Sequence, residues 1–364
     1  MSPSPQIHHL TSWLPQGAEP LVIAGPCSAE TREQVLQTGR QLARLSQVKV
    51  YRAGIWKPRT RPDGFEGAGE EGLRWMNELK QETGLLLTTE VANPHHIELA
   101  LKYKIDMFWI GARTVVNPFS VQELAEALKG VDVPVLVKNP LTPDIKLWMG
   151  ALERINKAGI NKLAAIHRGF HYFKQSPYRN APMWEIPIEL RRLLPSLPVI
   201  TDISHITGRR DLLQSVAQKA LDLETNGLMI ESHIDPEHAL TDADQQISPS
   251  DLEKLLATLI VRERTGSIDF QHKLEELRTE IDKLDGELMQ LLARRMEVVS
   301  EIGAYKKENN ITILQLKRWK HIIEDRLAIG TSMGLDREFL LLLLELVHET
   351  SIQLQTRIFN QDRN

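Results

Sequence analysis

The chain has 364 residues, 42% of them apolar and 25% charged, with a formal net charge of −4; that is room for one large domain and a small one in an ordinary soluble protein. The charge supplies no attraction to nucleic acid or an anionic membrane surface, and the greasiest run, Phe339 to Leu344, ends at Glu345, far short of a bilayer span. Met1 is followed by Ser, Pro and His instead of a signal-peptide layout, and the single cysteine, Cys27, excludes an intrachain disulfide, so the expected compartment is the cytoplasm.

The first part of the chain, residues 1–262, repeats one unit: a short β-branched or Leu-rich run, then an amphipathic stretch. Strands are predicted at Leu21–Ala24, Lys49–Arg52, Leu85–Glu90, Met107–Gly111, Pro134–Lys138, Leu163–His167, Val199–Asp202 and Leu228–Ser232. Helical stretches fall between them, among them Ala29–Leu45, Glu70–Thr83, Ser120–Leu128 and Arg210–Glu224. Apolar runs alternating with helices imply a parallel sheet. Eight such units in about 250 residues have the size of a closed (β/α)8 TIM barrel. A doubly wound open sheet is the alternative, weakened because no Gly-rich dinucleotide fingerprint follows the first strand. The stretch before strand one is too short for a further regulatory domain.

Residues 263–272, with Thr265, Gly266 and Ser267, read as a linker. Across residues 273–364 Leu274, Leu277, Ile281, Leu284, Leu288, Leu291 and Leu292 recur at helical spacing. One long helix, about Phe270–Glu308, and two shorter ones, about Leu314–Gly330 and Asp336–Phe359, are predicted. A helix that long with an apolar stripe needs a partner surface, so the segment is expected to form a homodimer.

Polar residues gather where the strands end, the face on which barrel loops converge. Cys27, Arg52, Lys57, Arg59, Thr60, Glu90, Arg113, Lys138, Arg168, His205, Glu231 and Asp242 all fall there. The cations Arg52, Lys57, Arg59, Arg113, Lys138 and Arg168 would repel one another around one mouth unless anions bind, and arginine forks suit phosphate and carboxylate oxygens. Cys27, His205, Glu231 and Asp242 offer one sulfur, one nitrogen and two carboxylates, a set suited to a first-row divalent ion. Any one of these residues alone is more often a buried hydrophobe or a surface charge; their common register with the repeat argues otherwise.

Gly25-Pro26-Cys27-Ser28, Arg52 with Lys57-Pro58-Arg59-Thr60, Gly111-Ala112-Arg113, Asp202 to His205, and Glu231 with Asp242 together resemble the type I, β-subtype 3-deoxy-D-arabino-heptulosonate 7-phosphate (DAHP) synthases. The resemblance covers about residues 20–262. It implies that Cys27, His205, Glu231 and Asp242 bind a divalent metal, manganese first, with cobalt, zinc or iron as alternatives. It implies that Arg113, Lys138 and Arg168 hold phosphoenolpyruvate, with Arg52 and Lys57 near its carboxylate, and that Arg59 and Thr60 take the phosphate of erythrose 4-phosphate. Lys57 and Glu90 are the catalytic candidates, Glu90 positioning water or substrate. The sister synthase that uses arabinose 5-phosphate usually carries Ala-Asn where this chain has Pro58-Arg59. The usual Ser-His-Ser/Gly-Gly run reads Ser204-His205-Ile206-Thr207-Gly208 here.

In the long helix Arg295 and Lys306 are eleven residues apart, so they share a face to within about 20° with Cα atoms about 16 Å apart. Arg278 lies about 25 Å from Arg295 and off in phase, placed to serve a dimer partner's site. Ser351 and Gln355 are one turn apart. Each alone reads as a solvated helix face. Jointly, residues 274–359 resemble the all-helical chorismate mutases, from Leu277-Arg278, Ile281-Asp282 and Leu284-Asp285 to Ser351 and Gln355. That implies chorismate binding by Arg295, Lys306, Arg318, Ser351 and Gln355, with Arg278 crossing the dimer. Arg295 and Lys306 are the catalytic candidates for rearrangement to prephenate, stabilising negative charge on the ether oxygen. Family members commonly carry a carboxylate one residue after the second-helix arginine, which contacts the substrate hydroxyl, and another three residues before it; here these are Trp319 and Gln315. The resemblance to fused synthase–mutases implies prephenate feedback on the barrel. The alternatives are a module that only senses chorismate or prephenate, or one that only dimerises.

Overall fold

The computed structural model describes residues 5–15, 20–57, 64–173, 175–263 and 265–360. The chain divides into two compact units, Met1–Arg262 and Glu263–Asn364. In the first, strands and helices alternate: β1 (Leu21–Gly25), α1 (Arg32–Leu42), β2 (Val48–Arg52), α2 (Glu70–Thr83), β3 (Leu86–Val91), α3 (Pro94–Lys102), β4 (Met107–Ile110), α4 (Ala112–Val115), α5 (Pro118–Ala127), β5 (Val135–Lys138), α6 (Ile145–Lys157), β6 (Leu163–His167), α7 (Glu185–Leu193), β7 (Val199–Asp202), α8 (Ile203–Thr207), α9 (Leu213–Asp222), β8 (Gly227–Glu231) and α10 (Pro249–Thr258). Each strand pairs in parallel with the next, and β8 returns to β1, so the sheet closes as a barrel in sequence order. This is the predicted (β/α)8 architecture and excludes the open sheet.

The side-chain alternation of each strand sorts the core into two shells. Leu21 and Ile23 pack inside the barrel with Val50, Met107, Trp109, Leu136, Ile166, Ile200 and Met229. Val22 and Ala24 face the helices with Tyr51, Phe108, Val135 and Trp148. The short turn Leu10–Ser12, unread in the sequence, belongs to the inner shell: Leu10 and Leu14 join that cluster, and His8 bonds Asn161 just before β6, so the segment plugs the N-terminal end. The opposite end is left for polar residues.

Local signals set the helix starts. Asn117 accepts from the amides of Phe119 and Ser120 and is followed by Pro118, so α5 begins two residues before its predicted start. Trp148, Ala151, Leu152 and Ile155 form the buried stripe of α6, and the Trp148 indole donates to the Val137 carbonyl, which fixes the end of β5 beside Lys138.

Among the described residues the second unit holds three helices: α11 (Ile268–Glu308), α12 (Leu316–Ser332) and α13 (Arg337–Asn360). Ser267 caps α11 by accepting from the Phe270 amide, so the helix starts inside the stretch read as a linker. Helix α13 packs against both α11 and α12. Their shared core is small: among the described residues only Val299, Leu327 and Leu340 are buried hydrophobics, while Leu277, Ile281, Leu284, Leu288 and Leu291 stand exposed on α11.

Candidate functional site

The strand ends bring the polar set to one mouth. A cavity of about 170 Å³ is lined by Cys27, Trp56, Lys57, Glu90, Arg113, Lys138, Arg168, Arg179, His205 and Asp242, with Ala112 and Leu141. Arg52 and Glu231 are fully buried and absent from that lining; they pair at 3.1 Å. The Arg52 guanidinium sits 5.0 Å from the Trp109 ring centroid, and Lys138 approaches the same ring at 5.7 Å. Trp109 in turn donates to Glu90 at 2.9 Å. A Cβ on Gly111 would overlap the Glu90 carboxylate, which is why the Gly-Ala-Arg turn begins with glycine.

Cys27 Sγ, Glu231 and Asp242 present ligand atoms within 4.8 Å of one another. His205 stands at the edge of this set, its Nε2 3.8 Å from Glu231 Oε1. Its Nδ1 lies 2.8 Å from Asp202 Oδ2, and Asp202 also pairs with Lys138 at 2.9 Å. Asp202 therefore fixes the imidazole from behind, the arrangement that orients a metal-binding histidine. The same carboxylate caps α8 by accepting from the His205 amide at 3.2 Å. The departing run Ile206-Thr207-Gly208 completes that single turn, which Gly208 closes at φ +66°.

The donors fit a divalent ion. Glu231 Oε1 is buried and, apart from the Arg52 ion pair at 3.1 Å, accepts no hydrogen bond among the described residues, and thiol, imidazole and carboxylates converge from behind β1, from α8 after β7, from the end of β8 and from the loop after it. Burial, then Glu231, push the Cys27 thiol up to about 12 against the pull of Lys57, whose Nζ rests 3.2 Å from the sulfur; a bound cation reverses that balance. Burial opposes ionisation of Asp242, but Arg179, His205 and Lys57 bring its carboxyl down to about 2. Burial likewise opposes ionisation of Glu231, and His205 and Arg52 overcome it. Burial lowers Arg168 to about 10, and its Nη1 donates to Asn180 at 2.6 Å.

Several contributors went unassigned in the sequence. Asp202 had a legible signal, an N-cap residue three before His205. Trp109 sits at an inner strand position and joins Arg52, Lys138 and Glu90. Arg179 pairs with Asp242 at 3.1 Å and donates to Gln245 at 2.7 Å, and Gln245 donates to Glu231 at 2.6 Å; both come from loops without periodicity. Arg59 and Thr60 lie outside the described residues.

In the helical unit Arg295 donates to Ser351 at 2.9 Å across α11 and α13. Lys306 donates to the Ile313 carbonyl at 2.6 Å. Gln355 is buried on the Ser351 face, and its Oε1 has no hydrogen-bond partner among the described residues. Arg318 is exposed on α12, and Arg278 is exposed on α11 at 3.5 Å from Glu275. Trp319 stacks on His348, centroids 3.6 Å apart.

Residues 13–265 match the DAHP synthetase I family, and residues 277–356 match chorismate mutase type II. Phospho-2-dehydro-3-deoxyheptonate aldolase of Thermotoga maritima is 33% identical over 226 residues, 62% of this chain and 64% of that protein, so the match spans just under two thirds of that relative. A crystal structure of the Thermotoga maritima enzyme aligns at TM-score 0.61 and 30% identity over 70% of this chain and 72% of that one. The 2-dehydro-3-deoxyphosphooctonate aldolase of Syntrophobacter fumaroxidans is 30% identical over 274 residues, 68% of this chain and 90% of that protein. The chain thus belongs to the DAHP synthetase I family and carries a chorismate mutase domain after its barrel.

Proposed function

We propose that the barrel condenses phosphoenolpyruvate with erythrose 4-phosphate and water to give 3-deoxy-D-arabino-heptulosonate 7-phosphate and phosphate, and that the helical domain rearranges chorismate to prephenate. The observation that carries the first reading is a cavity where Lys57, Arg113, Lys138, Arg168 and Arg179 stand beside the Cys27–Glu231–Asp242 cluster. Anions and a cation have adjoining places there.

In the condensation a bond forms from C3 of phosphoenolpyruvate to the aldehyde carbon. The oxygen of water adds at C2, and the C2–O bond to phosphorus-bearing oxygen breaks to release phosphate. Cys27, Glu231, Asp242 and His205 would hold the divalent ion, for which manganese is our first choice. Bound there, such an ion supplies Lewis-acid polarisation of the aldehyde. Arg113, Lys138 and Arg168 hold phosphoenolpyruvate and offset the repulsion between two phosphorylated substrates, a positioning contribution. Lys57 and the buried Arg52 face its carboxylate end. Glu90, held by Trp109, orients the incoming water. Arg59 and Thr60 take the aldose phosphate, and the Pro58-Arg59 pair favours erythrose 4-phosphate over arabinose 5-phosphate. The higher identity to the heptonate relative than to the octonate relative agrees.

The mutase needs no covalent step. Arg295 and Lys306 supply positive charge at the breaking ether bond, Ser351 and Gln355 orient the ring, and Arg318 and the partner copy's equivalent of Arg278 bind carboxylates. A homodimer through α11, in the cytoplasm, completes this reading. Trp319 and Gln315 favour a second one, in which the domain also senses prephenate and lowers barrel turnover.

The test uses the purified full chain. Phosphoenolpyruvate consumption should require erythrose 4-phosphate, stop with chelator and fall with added prephenate, while chorismate loss should ignore the chelator. Preference for arabinose 5-phosphate, or condensation that survives metal removal, would sink the barrel assignment.

A further inference from the structure

The helical domain has an aromatic pair that the roles above do not use. Trp319 stands one residue after Arg318, where the resembled mutases carry the carboxylate that meets the substrate hydroxyl. An indole has no acceptor, so that contact must come from another side chain. The Trp319 ring lies flat on His348, 3.6 Å between centroids and 9° between planes, and so holds the imidazole in one orientation. His348 precedes Ser351 by three residues and Gln355 by seven, so all three share one face of α13. Its Nε2 is buried with no hydrogen-bond partner among the described residues, as is Gln355 Oε1. Two unpartnered buried polar atoms on the ligand-facing side of one helix are costly unless a ligand meets them.

The charge environment agrees. Burial, then Arg295, then Lys306 hold the His348 imidazole below its ordinary pKa, so it is neutral near pH 7. A neutral imidazole can accept from a hydroxyl, whereas a third cation beside Arg295 and Lys306 could not.

We propose that His348, clamped by Trp319, is the residue that hydrogen-bonds the ring hydroxyl of the bound dicarboxylate, the polar contact having moved from α12 to α13. This rests on the mutase reading. Any hydroxylated cyclohexadiene dicarboxylate is bound through Arg295, Lys306 and Arg318 at its charges and through His348 at its hydroxyl.

The test compares wild type, His348→Phe and His348→Gln in the full chain, by chorismate turnover and by prephenate titration. The phenyl ring keeps the stack and removes the nitrogen; the amide restores a hydrogen-bonding tip. Loss of one such bond to a buried hydroxyl should lower kcat/KM about tenfold in the Phe variant and weaken prephenate by a similar factor, with most of it recovered in the Gln variant. A Phe variant equal to wild type, or a Gln variant as impaired as Phe, removes the inference and leaves the mutase reading standing. If wild type binds prephenate without turning over chorismate, the same comparison is read from the dissociation constants. If wild type does neither, the mutase reading falls and the inference falls with it.

Discussion

The two units solve the burial problem in opposite ways. The barrel closes its own sheet, fills it with Trp109, Leu136, Ile166 and Met229, and keeps its charges at one end, where Arg52 pairs with Glu231 and Lys138 with Asp202. The helical unit leaves its apolar stripe outside: Leu284 is 56% exposed, Leu288 49% and Leu291 65%. A closed sheet has no edge and needs no second copy to bury its strands. Three helices of unequal length leave the longest one uncovered, which is the stripe that the proposed homodimer would bury. The chemistry follows the same division. The barrel cluster is built within one chain, while the site proposed for the helical unit holds unpartnered atoms on His348 and Gln355 and calls on Arg278 from a second copy.

The sharpest way to break this contrast is to damage one unit and watch the other. Cys27→Ala removes the sulfur from the Cys27–Glu231–Asp242 cluster. Losing a metal-dependent contribution of several kcal/mol should slow condensation roughly a thousandfold. Chorismate turnover should stay within about twofold, because the mutase reaction uses no metal. A Cys27→Ala protein with normal, chelator-sensitive condensation would remove the cluster from the reaction.

The second prediction concerns pH. His167 is buried at the end of β6, and its Nε2 donates to the Pro182 carbonyl at 2.6 Å. Burial outweighs that bond and holds the imidazole down at about 4, against an ordinary value of 6.5. A base whose folded pKa is depressed binds its proton more readily when unfolded. The His167 contribution to barrel stability is therefore full above pH 6.5, falls as pH drops towards 4 and levels off below it, for a total of roughly 3 kcal/mol. Unfolding free energies of wild type and His167→Gln across that window should converge as the pH falls. Parallel curves would show that His167 contributes nothing to the pH slope.

Asp202→Asn should have a smaller effect. It leaves an isosteric side chain at the cap of α8 but weakens the hold on His205 Nδ1 and removes the charge paired with Lys138. Removing such a supporting carboxylate typically weakens metal affinity or activity by about ten- to a hundredfold. The metal dissociation constant should rise, and the unfolding midpoint should fall with it because Lys138 is left buried without its counter-charge. Unchanged metal affinity would leave Asp202 as a helix cap alone.

The sequence carried the barrel because the physics of its elements is local. Eight apolar runs at regular intervals need a parallel sheet buried on both faces, and all eight predicted strands start within one residue of where they lie. What stayed hidden depends on contacts distant in sequence. Nothing local says that Arg179 reaches Asp242 and Gln245, or that Trp109 carries Arg52, Lys138 and Glu90 around one ring. Leu10 and Leu14 carried no readable signal because a plug needs a barrel end to fill. Asp202 was an exception, readable as a cap and passed over for the histidine beside it. In the helical unit the periodicity gave the three helices, but the Trp319–His348 stack spans 29 residues and two elements, outside the reach of any helical spacing.

The smallest effect tests the partner surface. Of the 41-residue α11 only Val299 and Gly303 are buried, yet its exposed Leu277, Ile281, Leu284, Leu288 and Leu291 recur every three or four residues, the spacing of a seam. If a second copy covers them, Leu288→Ala removes apolar area from both sides of a symmetric contact at once, since an isologous interface contains each residue twice. Trimming one half-exposed leucine to alanine costs about 1 kcal/mol per side at the usual value for buried apolar area, so the dimer constant should weaken by roughly tenfold to thirtyfold. Sedimentation over a dilution series reads that shift. If Arg278 serves the neighbouring copy's site as proposed, mutase turnover should fall with dilution in the variant before it does in wild type, whereas condensation per barrel should not change with dilution. A concentration-independent monomer in wild type would break the contrast at its root, leaving the stripe without the cover that its length and spacing require.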